Sequence, residues 1–191
     1  MNEPVKIAII ADDARGQILE DGARLAGYDR LTRVPLDPVP DLASGEYALV
    51  LAAVAALEGP FRDRLLALPR LLHCPVAIWV EQADRATLQV AIEANIGALV
   101  VEAPQAVRVK PIVELATLRF TQIETLRAEL EAAQQRLAER KIIDRAKGIL
   151  MEVRKISEED AYSLLRRTAM NENKRIVDVA RSIITAAELL T

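Results

Sequence analysis

Four carboxylates stand directly behind apolar runs: Asp12 and Asp13 after Ile9-Ile10-Ala11, Glu81 after Val76 to Val80, and Glu102 after Ala98 to Val101. Gathered at one end of a sheet they could hold a hard divalent cation, which prefers several carboxylate oxygens and keeps some of its waters. Their simpler use is local, because an acidic residue between a strand and a helix commonly caps that helix or faces solvent, and no metal is expected. His73 and Cys74 form the one imidazole–thiol pair. No Asp or second His lies near them in sequence, and Pro75 follows, so they read as a loop entering a strand rather than a catalytic dyad. A single cysteine excludes an intramolecular disulfide, and no Cys/His spacing suits structural zinc. The phosphate-binding, dinucleotide-binding, zinc-protease and nucleophile-elbow motifs are all missing, so the chain carries no positive sign of an enzyme.

A second kind of chemistry gathers late in the chain. Lys147, Arg166, Arg167, Lys174, Arg175 and Arg181 offer cations for phosphates or for bidentate contact with guanine edges, and Asn171 and Asn173 could read bases or cap a helix. The competing use is a solvated helix face, in which Lys174 pairs with Asp178 at i,i+4. Net charge is -3 over 191 residues, which excludes coating of nucleic acid by bulk electrostatics. The total hides a gradient. Residues 1–120 hold 12 Lys/Arg against 16 Asp/Glu, whereas residues 140–191 hold 11 against 8. Tyr162 is the lone aromatic after Phe120, which excludes a stacked-aromatic platform and favours recognition of loop shape by polar and cationic groups.

The elements that position these residues fall in two segments. All nine prolines and six of seven glycines precede residue 112, so turns are confined to the first segment and the remainder can be nearly continuous helix. Val5 to Ile10, Leu31 to Val34, Tyr47 to Val54, Val76 to Val80 and Ala98 to Val101 read as five strands, with helical spacing over Gln17 to Ala26, Arg62 to Leu72 and Arg85 to Asn95. Runs this apolar belong to a parallel sheet buried on both faces, so the fold class is α/β, a doubly wound sheet with loops at the carboxyl ends of its strands as the natural place for a site. Trp79 is expected in the core. The longest apolar run, Tyr47 to Leu57, has eleven residues against the roughly 18 that a bilayer span needs. Without a basic amino-terminal region either, the expectation is a cytoplasmic protein.

In the second segment Ile123, Leu126, Leu130, Ala133 and Leu137 alternate steps of three and four, a short coiled-coil seam that points to a homodimer or to one amphipathic linking helix. Ile142, Ile143, Ala146, Ile149, Leu150 and Val153 continue a helical stripe to a break near Arg154 and Lys155. Ser157-Glu158-Glu159-Asp160 has the pattern of a capping box, and the stripe Ala161, Leu164, Leu165, Thr168 and Ala169 follows it. Asn171 to Asn173 suit a turn and helix cap before Ile176, Val179, Ala180, Ile183, Ile184 and Ala187. Three helices with one apolar stripe each must pack together.

Two resemblances follow from these residues. Ile9-Ile10-Ala11-Asp12-Asp13 and Asn95-Ile96-Gly97-Ala98 make residues 4–118 resemble a response-regulator receiver domain, a flavodoxin-like fold. Ala52 or Ala53 stands where that family has its phosphoacceptor aspartate, Val80 where it has Ser/Thr, and Glu102 where it has lysine, so the resemblance is to a degenerate receiver with no phosphoacceptor. Residues 138–191 resemble the ANTAR domain, the RNA-binding module of the AmiR and NasT antitermination regulators. The residues that carry this are Ala146-Lys147-Gly148-Ile149-Leu150-Met151, Glu158-Glu159-Asp160-Ala161-Tyr162, Leu165-Arg166-Arg167-Thr168-Ala169-Met170 and Val179-Ala180, with residues 119–137 as the joining helix. Val101 to Ala106 and Ala187 to Leu190 look most like the NasT branch. The resemblance implies an antiterminator of a nitrate or nitrite assimilation operon. It would bind paired leader-RNA hairpins, and a NasS-like nitrate- or nitrite-sensing protein, rather than phosphorylation, would control it. No cofactor is implied. The alternatives are a protein-interaction adaptor without RNA binding, or an ANTAR regulator of another pathway such as amide metabolism.

Overall fold

The computed structural model describes residues 6–35, 42 and 47–189. The chain order is β1 (Lys6–Ala11), α1 (Asp13–Leu25), β2 (Arg30–Val34), β3 (Leu49–Val54), α2 (Pro60–Leu72), β4 (Val76–Val80), α3 (Arg85–Glu93), β5 (Ala98–Val101), α4 (Ala106–Arg154), α5 (Glu158–Asn171) and α6 (Ile176–Glu188). Val5, expected in the first strand, lies outside the described residues. The five strands pair in parallel in the order β2-β1-β3-β4-β5. That is the flavodoxin-like order, shared by receivers, whose strand order reverses between β1 and β3.

Apart from Lys6 at the start of β1, the central strands β1, β3 and β4 are apolar at every position because both sheet faces are covered. Ala8, Ile10, Val50, Ala52, Val54, Val76, Ile78 and Val80 pack with Leu65, Leu68 and Ala91 of α2 and α3. Ile7, Ile9, Leu49, Leu51, Ala53, Ala77 and Trp79 pack on the other face with Leu19 and Ala23 of α1 and with Val109, Val113 and Ala116 of α4. The period-2 alternation assigns each residue to its face. Glycine is required where helices approach closely: a Cβ at Gly97 would stand 2.8 Å from the Ala116 carbonyl oxygen, and one at Gly22 would stand 2.4 Å from Val109 Cγ2. Trp79 is a core residue as expected, 1% exposed, with its indole N–H unpartnered.

With no glycine or proline between residues 112 and 147 to interrupt it, α4 runs unbroken for 49 residues. The chain divides into two compact units, 1–125 and 126–191, inside this helix. In the second unit the carboxyl-terminal part of α4 packs with α5 and α6 around Ala146, Leu150, Ala161, Leu165, Ala169, Val179 and Ala180. Ala146, Ala161 and Ala180 are fully buried, and small side chains there let the helix axes come close.

The helix ends differ from expectation in two details. Ser157 caps α5, its hydroxyl oxygen accepting from the Asp160 amide at 3.1 Å, but the Asp160 carboxylate accepts from that same hydroxyl (2.7 Å) rather than from the Ser157 amide. Only half of a capping box is formed. The asparagines do not cap α6. Asn173 instead takes the left-handed conformation that ends α5 (φ 52°), the Lys174 amide donating to the Ala169 carbonyl at 2.9 Å, while Arg175 precedes α6 without a side-chain cap.

Candidate nucleic-acid interface

At the carboxyl ends of the strands, Asp12, Glu81 and Glu102 each already have a cationic partner. Asp12 caps α1, accepting from the Arg15 amide at 2.9 Å, and the Arg15 guanidinium bridges the Asp12 and Glu81 carboxylates. Hydrogen bonding to Glu81, above all, raises the Arg15 pKa further. Asp13 is the first residue of α1. Glu102 pairs with Arg108 at 2.6 Å. The inverted charge pattern of this rim is therefore answered from within by two arginines, and no group of three or more potential metal ligands occurs among the described residues. Ala52 and Ala53 are fully buried at the end of β3, where the surrounding stretch, Tyr47 to Leu57, has no carboxylate in any register. His73 adopts the left-handed conformation that ends α2, and burial pushes the Cys74 thiol up to about 11, an environment that disfavours the thiolate.

The second unit sorts its cations into two groups. Lys147 reaches Asp144 at 2.6 Å and Glu158 at 2.7 Å, and its side chain is only 14% exposed. The hydrogen bond to Asp144 first, and that to Glu158 next, raise the Lys147 pKa, while Lys147 holds the Asp144 carboxyl below the usual carboxylate range. Arg175 meets Glu139 at 3.3 Å and Asp178 at 3.4 Å, and Arg145 meets Glu188 at 2.8 Å. Lys174 bonds Glu172 at 2.8 Å, so the expected i,i+4 pair with Asp178 is replaced by a nearer carboxylate, and Asp178 goes to Arg175. These pairs tie α4 to α5 and to both ends of α6. Of the eleven Lys/Arg in 140–191, five (Arg140, Arg145, Lys147, Lys174 and Arg175) are thus engaged. Lys141, Arg154, Lys155, Arg166, Arg167 and Arg181 have no carboxylate partner among the described residues.

Arg166 and Arg167, adjacent in sequence, point about 100° apart around a helix of 3.6 residues per turn. Arg166 shares a stripe with Tyr162 and Met170, which are 45% and 72% exposed. Arg167 falls on the stripe of Asp160, Ser163 and Leu164, and with these it lines an open groove closed on the other side by Arg154 and Ile156. Asn171, the last residue of α5, is exposed. Sequence reasoning passed over Arg154 and Lys155, reading them only as a helix break. Cations in the last turn of a helix complement its dipole, and nothing local distinguishes that role from ligand binding. The seam residues Leu126, Leu130 and Leu137 are 57%, 58% and 56% exposed and Ala133 is exposed, while Ile123 is half-buried. No described helix is long and apolar enough to cross a membrane.

Residues 131–184 match the ANTAR domain family. Over 80 residues the chain is 34% identical to the nitrate regulatory protein of Klebsiella oxytoca, in an alignment spanning 42% of this chain and 20% of that protein's length. The transcriptional regulatory protein PdtaR of Mycobacterium tuberculosis is 26% identical over 196 residues, with 96% of each chain covered. Among solved structures, a Burkholderia pseudomallei protein described as pilus assembly-related is similar over 62% of this chain and 94% of its own, with a TM-score of 0.50 and 18% identity, which bears on the α/β fold alone. The chain joins a receiver-like domain to an ANTAR domain, and its relatives are regulators.

Proposed function

With an ANTAR domain behind a receiver-like domain as premise, we propose that this protein is a transcription antitermination regulator that binds paired hairpins in a nascent leader RNA in the cytoplasm. The observation that carries the reading is the sorting of cations. Arg154, Lys155, Arg166, Arg167 and Arg181 stand on one small helical bundle without internal partners, so they can meet phosphates without first breaking an ion pair. In this reading Lys147 and Arg175 tie α4 to α5 and α6, Lys174 is paired within the turn between α5 and α6, and Asn171 and Arg166 with Tyr162 face the RNA loop. The kinship with a nitrate regulatory protein supports a nitrate or nitrite assimilation operon as the target, and a NasS-like sensor as the controlling partner. Control by a partner fits a β3 end that offers no carboxylate, so acetyl phosphate with magnesium should leave the intact mass unchanged. The exposed leucine seam supports a homodimer, formed alone or on the RNA.

The test is binding of the purified chain to its own operon leader and to a scrambled hairpin between 50 and 200 mM salt. Preference for the leader, with affinity falling steeply as salt rises, is expected. A chain that binds neither, or both alike, would leave a protein-interaction adaptor as the better reading.

A further inference from the structure

The groove between the end of α4 and α5 has a composition that the folding of the bundle does not explain. Its volume is about 470 Å³, and its lining is Arg154, Ile156, Asp160, Ser163, Leu164 and Arg167. Leu164 and Ile156 also pack against the bundle core. Asp160, the one carboxylate in the lining, is occupied with the Ser157 hydroxyl and amide-capping turn (2.7 Å) and pairs with neither arginine. Two guanidiniums therefore share one concavity with a single carboxylate that pairs with neither, a net positive lining, beside the Ser163 hydroxyl as a further donor. Two cations against one carboxylate, with no ion pair formed, leave an excess of positive charge and free donors that an external anion can take up. The planar, multi-donor guanidinium matches the geometry of phosphate oxygens.

We propose that this groove seats a phosphodiester of the RNA backbone, held between Arg154 and Arg167 with Ser163 as an additional donor. The inference rests on the RNA-binding reading and refines it: the groove fixes the position of the hairpin and carries no base identity. Arg166, on the neighbouring stripe, is outside this seat.

The experiment compares the full-length parent with Arg154→Gln/Arg167→Gln on the leader hairpin and on a hairpin of the same stem with an altered loop. The variant should weaken both by the same factor and leave their ratio unchanged. Losing the one seated phosphate should flatten the slope of log K against log salt by about 0.7 to 0.9, so the gap between parent and variant narrows about 2.6- to 3.5-fold from 50 to 200 mM. Arg154→Lys/Arg167→Lys, which keeps the charges, should retain most of the parent slope. Should the double glutamine variant fail to fold by circular dichroism, Arg167→Gln alone should weaken both hairpins by one common factor, and an unchanged affinity would overturn the seat. Inorganic phosphate at constant ionic strength separates a free-anion site from a backbone seat: protection of the parent but not the variant by millimolar phosphate would overturn the assignment to RNA. A parent that binds RNA while the folded variant keeps its affinity and slope overturns the seat alone, as does a changed ratio between hairpins. A parent that binds no RNA overturns both.

Discussion

Arg15 gives the sharpest test of what holds the acidic rim of the sheet together. Replacing it by methionine keeps most of the apolar stem but removes the guanidinium that bridges Asp12 and Glu81. Each exposed ion pair is worth about 0 to 1 kcal/mol. The larger effect is the repulsion uncovered: two carboxylates bonded to one guanidinium lie roughly 5 Å apart, which costs about 0.8 kcal/mol at the dielectric of water and about 3 kcal/mol at an effective 20. The Asp12 and Glu81 side chains are 47% and 50% exposed, which moves the value toward the lower end. Arg15→Met should therefore destabilise the first unit by about 1 to 2 kcal/mol at low salt. The loss should shrink in 1 M NaCl, where the screening length is about 3 Å. Millimolar magnesium should recover stability in the variant, since a hard cation can take the vacated place between the carboxylates, and should do nothing for the parent. Thermal unfolding followed by circular dichroism reads all of this. Equal stability of parent and variant at low salt, or equal stabilisation of both by magnesium, would refute the idea that Arg15 holds these two carboxylates together.

Three other substitutions probe the second unit. Ser157→Ala removes the hydroxyl that accepts from the Asp160 amide and should cost about 1 kcal/mol, lowering the melting temperature of the bundle by roughly 4 to 8 °C; an unchanged melt would mean the cap is idle. Gly148 lies within α4, and a Cβ built on it meets nothing within 4 Å, so Gly148→Ala should stabilise by about 0.5 to 1 kcal/mol in chemical denaturation, and destabilisation would show the space is not open. Leu126→Asp/Leu130→Asp changes residues that are more than half exposed in a single chain, so it should leave the melt of the monomer nearly intact while abolishing any dimer in sedimentation; persistent association would move the interface elsewhere.

The core strands and their parallel sense were legible because they are apolar at consecutive positions, a pattern that burial on both sheet faces demands, whereas β2, with Arg30, Thr32 and Arg33, carries that signal only weakly. The helices of the second unit were legible for the complementary reason, a stripe at a period of 3.6 residues leading to the core of Ala146, Leu150, Ala161, Leu165 and Ala180. Helix ends were less so. Asn171 to Asn173 have the residue types of both an N-cap and a left-handed C-terminal residue, and only backbone geometry assigns Asn173 to the latter.

The candidate site was legible in residue type but not in availability. Lys147 and Arg167 look equivalent in the sequence, each a cation on a helix near an apolar stripe. They separate because Lys147 is one turn along from Asp144 and packs beside Glu158 on another helix, whereas the carboxylate on Arg167's own stripe, Asp160, is bonded to Ser157. The same selection explains Arg15, whose partner Glu81 lies 66 residues away and is met only once β4 lies in its place in the sheet. A charge's partner is set by tertiary packing, so a sequence can mark which residues are able to bind an anion, while the fold decides which of them still have one to find.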